Sequence, residues 1–111
     1  AQAAASTILT DFQAAYREAY NGDEADSFAT NSYDATYILA DSIKRAGEGV
    51  DHSTLRDQIE ATTDFAGANG IINFAENGDL VASQGVYEVE GTTPVYVGAF
   101  QVQNGQIVQV D

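Results

Sequence analysis

The spacing of apolar residues changes near Gly70, and this change limits the folds that the chain can adopt. Before Gly70, aliphatic and aromatic residues recur every three or four positions, as they do on one face of an α-helix. After it, short segments rich in Val, Tyr and Phe are separated by Asn-Gly pairs, which is typical of antiparallel strands joined by tight turns. A chain of 111 residues has room for one modest core. About three helices followed by β-hairpins are therefore predicted, an α+β arrangement when the chain is taken alone.

Three helices are predicted before Gly70. The first carries a stripe of residues four apart, Ile8, Phe12, Tyr16 and Tyr20, and ends at Asn21-Gly22. The second is expected to take Asn31 or Ser32 as its N-cap and to end at Gly47. Its predicted buried residues are Ala35, Ile38, Leu39, Ser42, Ile43 and Ala46. The third is expected to be capped by Asp51 or Ser53 and to turn Leu55 and Ile59 inward.

Strands and hairpins are predicted after Gly70. The apolar run GIINF is followed by Asn77-Gly78, which suits a type I′ hairpin turn because both residue types tolerate positive φ. The segments QGVYEVE and PVYVGAFQV are rich in strand formers, and Pro94 stands at a strand start, where no ladder donor is needed. Asn104-Gly105 is predicted to turn the chain into a last strand, QIVQV.

The charge balance excludes two classes of partner. Seventeen Asp and Glu residues against four Lys and Arg give a net charge of -13. Such a chain repels the phosphates of nucleic acids and of anionic lipids. Self-repulsion of this size is relieved by salt, so we expect a halophilic source, with an acidic mesophilic domain as the alternative. The sequence has no apolar stretch of membrane-spanning length and no signal-peptide pattern, so we expect a mature or excised chain.

The sequence contains little that predicts catalysis. The only histidine, His52, stands between Asp51 and Ser53 at a helix start, where successive side chains diverge rather than form a triad. The chain has no Cys, and one His without Cys does not make a zinc site. The run FAGANG lacks the spacing of a phosphate-binding loop. We therefore predict no catalytic residue, metal or cofactor, while a small acidic hydrolase using His52 and a ligand-free interaction domain remain alternatives.

An ordered set of short motifs runs through nearly the whole chain. Its members are Phe28, Tyr33-Asp34-Ala35, Ala46-Gly47, Leu55-Arg56, Phe65-x-Gly67-x-x-Gly70, Phe74 and Asn77-Gly78-Asp79-Leu80. In identity and order this set resembles the carboxy-terminal third of the branched-chain amino acid binding proteins that serve ABC importers. Those proteins have the type I periplasmic-binding fold, an α/β fold of two lobes around a ligand cleft. The segment EVEGTTPVYV departs from the family pattern and is somewhat expanded.

The resemblance implies roles for three residues. Phe28 falls where the family presents an aromatic ring to the ligand's side chain, with a core ring that anchors the helix entry as the alternative. Tyr33 is the second candidate ligand contact, with packing as its alternative. Asp34 is expected to have a structural role at the helix start. The family's groups that bind the ligand's carboxylate and ammonium correspond to no part of this chain.

The resemblance also implies a function and partners. The chain is expected to be a single fragment, 1–111, with residues 1–66 in the helical part of the ligand-binding lobe and residues 67–111 returning to the second lobe. It would be no enzyme but the carboxy-terminal portion of a periplasmic or extracellular solute-binding protein, anchored to a membrane through its missing amino-terminus. Its expected partners are a small amino acid or related solute, an ABC permease, the missing amino-terminal portion and a second copy of the fragment.

Overall fold

A computed structural model describes residues 2–111 of the protein, with side chains from residue 6 onward. Three helices come first: α1 (Gln2–Ala19), α2 (Ser27–Ala46) and α3 (His52–Glu60). Six strands follow as two antiparallel sheets of three strands. The first sheet contains β1 (Phe65–Gly67), β2 (Gly70–Phe74) and β3 (Leu80–Val81), and the second contains β4 (Gln84–Glu90), β5 (Thr93–Gln103) and β6 (Gln106–Gln109). The predicted order of helices and hairpins, and the α+β class, are confirmed.

The chain divides into two units, Ala1–Val81 and Ala82–Asp111. Helices give way to strands between Glu60 and Phe65, close to the predicted division at 66/67. The first unit nevertheless extends to Val81, because the first sheet packs with the helices. The assignment of the two parts to different lobes stays a prediction. None of the described helices combines the length and the apolar character that a membrane-spanning segment requires.

Helix α2 begins earlier than the sequence pattern indicated. Its N-cap is Asp26, whose Oδ1 accepts a hydrogen bond of 2.9 Å from the backbone N–H of Ala29. The predicted caps, Asn31 and Ser32, therefore lie inside the helix, because a carboxylate upstream already accepts a hydrogen bond from a free N–H group of the first turn. The predicted end is confirmed: Gly47 has a φ of 86° and its N–H bonds the carbonyl oxygen of Ile43 at 3.0 Å.

The buried face of α2 is mostly polar. Its fully or almost fully buried residues recur every four positions, Thr30, Asp34, Ile38 and Ser42. Of the residues predicted to be buried, Ile38 and Ser42 are confirmed, whereas Leu39 is 44% exposed and Ile43 is 46% exposed. Ala35 is exposed as well. Each of these three follows a buried position by one residue, about 100° around the axis, so α2 presents its polar stripe inward and leaves an apolar stripe uncovered.

The ends of α1 and α3 follow the sequence prediction. Helix α1 leaves Ile8, Phe12 and Tyr16 half-buried, and the chain then turns at Asn21 and Gly22, which have φ values of 55° and 92°. Asp51 caps α3 by accepting a 2.7 Å hydrogen bond from the backbone N–H of Thr54.

Two Asn-Gly turns have different geometries. Between β5 and β6, Asn104 and Gly105 both have positive φ, 52° and 76°, as a type I′ turn requires. Between β2 and β3, Gly78 has a φ of 85° but Asn77 is not in the positive region. Gly78 N–H bonds the Ala75 carbonyl oxygen at 2.8 Å, so this loop is a type I turn followed by a glycine bulge. The predicted hairpin is confirmed there, and its predicted type I′ geometry is wrong.

The second unit is a three-stranded sheet with little buried surface. Gly98 is its one buried residue among those that the structure describes. Tyr87 and Tyr96 face each other across β4 and β5, with ring centroids 5.3 Å apart, and a register shift lies between Val86 and Tyr87. Val89 and Ile107 are 69% and 77% exposed. Antiparallel sheets commonly bury one face, so these side chains are available to cover, or be covered by, another surface.

Candidate functional site

The two halves of the sequence meet at the carboxylate of Asp34. Asp34 lies two turns into α2 and is 3% exposed. Its Oδ1 accepts a hydrogen bond of 2.6 Å from Ala68 N, and its Oδ2 accepts bonds from Asn69 N at 3.0 Å and Asn69 Nδ2 at 2.8 Å. We call this arrangement of Asp34, Gly67, Ala68 and Asn69 the Asp34 contact. It corrects the prediction that Asp34 lies at the helix start, because the cap there is Asp26 and the Asp34 side chain binds a loop.

Gly67 lets the Asp34 carboxylate come this close. A Cβ added at Gly67 would lie 2.6 Å from Asp34 Oδ1 and 2.7 Å from Oδ2. Gly70, across the two-residue loop, has a φ of 106°, which L side chains rarely adopt. The two glycines of the Phe-x-Gly-x-x-Gly motif thus have separate structural roles: the first leaves room for a carboxylate, and the second permits the turn. Sequence reasoning recorded this motif and Asp34 separately and missed that they touch.

The two predicted ligand contacts lie on different faces of α2. Phe28 is in the first turn and is 79% exposed. Tyr33 follows five residues later, which places it about 140° away around the helix axis. Tyr33 is half-buried, and its ring lies 4.8 Å from that of Phe12 on α1. The structure therefore does not bring Phe28 and Tyr33 together on one surface, and their predicted ligand contacts stay predictions.

Tyr33 belongs to a row of aromatic rings between α1 and α2. The row consists of Phe12, Tyr16, Tyr20, Tyr33 and Tyr37, with neighbouring ring centroids between 4.4 and 5.9 Å apart. These rings line a groove with a volume of 610 Å³, which we call the tyrosine groove. Burial, a hydrogen bond with Tyr37 and the nearby charges of Asp34 and Asp11 raise the pKa of Tyr33. The phenol is therefore neutral at physiological pH.

A second, more apolar groove lies beside the uncovered stripe of α2. It has a volume of 520 Å³, and its apolar lining includes Ile38, Leu39, Ile59, Ile72, Phe74 and Leu80. Arg45 joins α2 to the region beyond α3: its Nη2 bonds Ser42 Oγ at 3.2 Å and Thr62 Oγ1 at 3.1 Å. This guanidinium thus bonds the buried hydroxyl of Ser42 in α2 and that of Thr62 after α3, so polar contacts link the two segments beside an open apolar groove.

The surroundings of His52 favour a capping role for this segment over hydrolysis. His52 is the exposed first residue of α3. The neighbouring Asp51 carboxylate is occupied by the Thr54 N–H, which lowers the pKa of Asp51. Within the described residues, no group of three His, Asp or Glu side chains could hold a metal ion.

Comparisons with known proteins agree with the motif order. Residues 2–93 match the family model described as periplasmic binding protein. The chain is similar to the crystal structure of a leucine binding protein from Thermotoga maritima, with a TM-score of 0.69 and 34% sequence identity over 83% of this chain and 26% of that one. It is also similar to a branched-chain amino acid ABC transporter protein from Rhodospirillum rubrum, with a TM-score of 0.64 and 26% identity over 99% of this chain and 28% of that one.

A comparison with curated protein sequences finds no significant match. The chain spans only about a quarter of the length of the two solved structures. The family model, by contrast, covers most of the present chain, including both motifs that form the Asp34 contact. The chain belongs to the periplasmic binding protein family.

Proposed function

We propose that the chain forms the carboxy-terminal portion of a solute-binding protein that captures a small amino acid or a related solute and delivers it to the permease of an ABC transporter. The observation that carries this proposal is the 34% identity and common fold with a leucine binding protein. A periplasmic or extracellular location, with anchoring to a membrane through an amino-terminal segment, is part of the same proposal. Both similar structures are named for binding or transport, which supports a role without catalysis.

Phe28 is the residue of this chain that we assign to the ligand. Its ring is 79% exposed, so it is free to form an apolar wall. The Asp34 contact lies about two turns further along the same helix and fixes that helix against the β1–β2 loop. Covering one aliphatic side chain with such a wall is worth roughly 1.5 to 3 kcal/mol when burial is complete. The ring would therefore contribute to affinity but would not hold a zwitterion by itself.

The proposed mechanism is closure of two lobes around the solute. Residues 1–66 would belong to the ligand-binding lobe together with residues 67–81, which pack with the helices in one unit, and the chain would return to the other lobe after Val81. A solute that contacts both lobes binds the closed state better than the open state, so it shifts the population toward closure. The permease would recognise the closed state.

The uncovered apolar stripe of α2, with Leu39 and Ile43, supports this proposal because it offers a surface for the remainder of such a protein.

A chimera tests the proposal. The present chain replaces the matching segment of the Thermotoga maritima leucine binding protein, and leucine binding is measured by calorimetry. We expect a folded chimera that binds leucine. Phe28→Ala should weaken binding by about five- to thirtyfold, because roughly 1 to 2 kcal/mol of apolar contact is lost.

Val89→Ala is the matched control. Val89 is also a highly exposed apolar residue, at 69%, and it lies on β4 rather than on α2. Its substitution should leave leucine affinity unchanged. A folded chimera that binds neither leucine nor any other amino acid would contradict the proposed function. Equal effects of Phe28→Ala and Val89→Ala would instead contradict only the assignment of Phe28.

A further inference from the structure

The tyrosine groove has an unusual lining for a chain with so many charges. Five of its nine lining residues are aromatic, and the other four are small: Ala15, Ala29, Ser32 and Thr36. None of these described lining residues carries a charge at neutral pH. The volume of 610 Å³ lies within the range of about 300 to 1,000 Å³ that small-molecule sites occupy. The groove is therefore large enough for a small organic ligand and offers it ring surfaces rather than ion pairs.

The rings meet at angles rather than in parallel stacks. Tyr16 and Tyr20 are tilted by 33°, Tyr33 and Tyr37 by 46°, and Phe12 and Tyr33 by 51°. Together these rings line one groove. Tyr20 and Tyr37 are each 54% exposed, so this groove can be reached from solvent. Aromatic faces carry the negative part of the ring quadrupole and attract cations within about 6 Å of the centroid.

The charges around the groove also favour a cationic ligand. Asp11 precedes Phe12 on α1, and Asp11 and Asp34 both act on the Tyr33 hydroxyl through their charge. The basic residue of α1, Arg17, is engaged by Glu24 at 2.8 Å. With a net charge of -13, the chain attracts cations and repels anions. An anionic ligand would find no basic side chain on the lining.

We propose that the tyrosine groove binds an organic cation with an alkylated ammonium group, the chemical class of choline. A metal ion prefers oxygen ligands such as carboxylates, and no carboxylate is among the described lining residues. A primary ammonium is strongly hydrated, so it gains less than an alkylated one from leaving water for ring faces. An alkylated ammonium is weakly hydrated and is recognised by aromatic faces alone. This site goes beyond the proposed transport function, because it lies on the α1-facing side of α2 and does not include Phe28. Tyr33 would contact a ligand here.

The test compares two ligands of equal shape. The 111-residue chain is titrated with choline and with neohexyl alcohol, in which a tert-butyl group replaces the trimethylammonium group. Ring and amide signals of the groove residues are followed by nuclear magnetic resonance. We expect choline to shift the signals of Tyr33 and Tyr37 and to bind about five- to tenfold more tightly than the alcohol. Equal affinity for both ligands, or no shift with choline, would overturn the proposal.

Leucine substitutions distinguish binding through aromatic ring faces from binding through apolar volume alone. Tyr37→Leu and Tyr20→Leu should each weaken choline binding by about fivefold or more while affecting the alcohol less. Tyr20 lies beyond the end of α1 and is half exposed, so its replacement keeps the test valid if Tyr37→Leu fails to fold. Tyr87→Leu, on β4 and 59% exposed, is the control and should leave choline binding unchanged. Choline binding that survives both groove substitutions would place the cation elsewhere and refute the proposal.

Discussion

The Asp34 contact provides the sharpest test of the fold. Three hydrogen bonds converge on a carboxylate that is 3% exposed. Bonds to charged groups contribute about 1.5 to 3 kcal/mol each, and removal of the buried charge recovers several kcal/mol of desolvation. Asp34→Ala also leaves the N–H of Ala68 without its acceptor. We therefore expect Asp34→Ala to lower the free energy of unfolding by about 2 to 4 kcal/mol.

Gly67 should be energetically coupled to Asp34. Alanine at position 67 would place its Cβ 2.6 Å from the Asp34 carboxylate, so the carboxylate has to move and lose hydrogen bonds, which costs about 1 to 3 kcal/mol. In the Asp34→Ala background this obstacle is gone. The backbone of Gly67 lies outside the left-handed region, so alanine should then be neutral or stabilise by about 0.4 to 1 kcal/mol. The coupling energy should therefore be about 1 to 4 kcal/mol.

A double-mutant cycle measures this coupling. The parent chain, Asp34→Ala, Gly67→Ala and the double variant are unfolded in urea and followed by circular dichroism. Gly98→Ala is the matched control, because its Cβ would also meet a side chain at 2.6 Å, but that of Gln109. Its effect should be the same with and without Asp34. If Gly67→Ala costs as much in the Asp34→Ala background as in the parent, the carboxylate is not what excludes a side chain at position 67.

Four further outcomes are expected. Because of the charge of -13, the denaturation midpoint should rise from low salt to molar potassium chloride, and a flat or falling midpoint would refute a halophilic adaptation. Calorimetry should show weak or no leucine binding by the isolated chain, since it spans only 26% of its leucine-binding relative; micromolar affinity would contradict this. Sedimentation should show self-association that tightens with salt and is weakened by Ile43→Asp on the uncovered apolar stripe of α2. A clean monomer at high salt would show that no exposed apolar surface drives pairing. The Tyr96 hydroxyl donates a hydrogen bond to the Asp111 carboxylate, and this bond raises the pKa of Tyr96 from 10.0 to about 12. The contribution of the bond to stability is therefore complete below pH 10.0 and is lost as the pH rises toward 12. An absorbance titration should find the Tyr96 pKa lowered in Asp111→Asn, and an unchanged value would contradict the pairing.

Local signals predicted the elements well because they act within a few residues. Asp51 caps α3 and Gly47 ends α2 through hydrogen bonds that each span three or four residues. Asn104 and Gly105 form their turn because both accept positive φ. These choices are made by backbone geometry and do not depend on the rest of the fold.

The burial of α2 could not be predicted in the same way. Apolar periodicity favoured Leu39 and Ile43 as buried residues, yet the helix buries Thr30, Asp34 and Ser42. Polar residues become the inner face only when partners lie opposite them, and those partners come from distant parts of the chain. Asn69 is the partner of Thr30 and Asp34, and Thr62 is joined to Ser42 through Arg45. A period-of-four pattern identifies a helix face but carries no information about such partners.

The residues that identify the family and the residues that would bind a solute are largely different sets. Tyr33-Asp34-Ala35 and Phe65-x-Gly67-x-x-Gly70 made the resemblance specific, and in the structure they meet in one contact that fixes α2 to the β1–β2 loop. That contact needs a carboxylate, two free N–H groups and the absence of a Cβ, whatever solute the protein carries. Phe28, the residue assigned to the ligand, is 79% exposed and is free of such constraints. Relatives that bind different solutes should therefore differ at position 28 and keep the Asp34 contact. For this reason the sequence identifies the family but does not identify the solute.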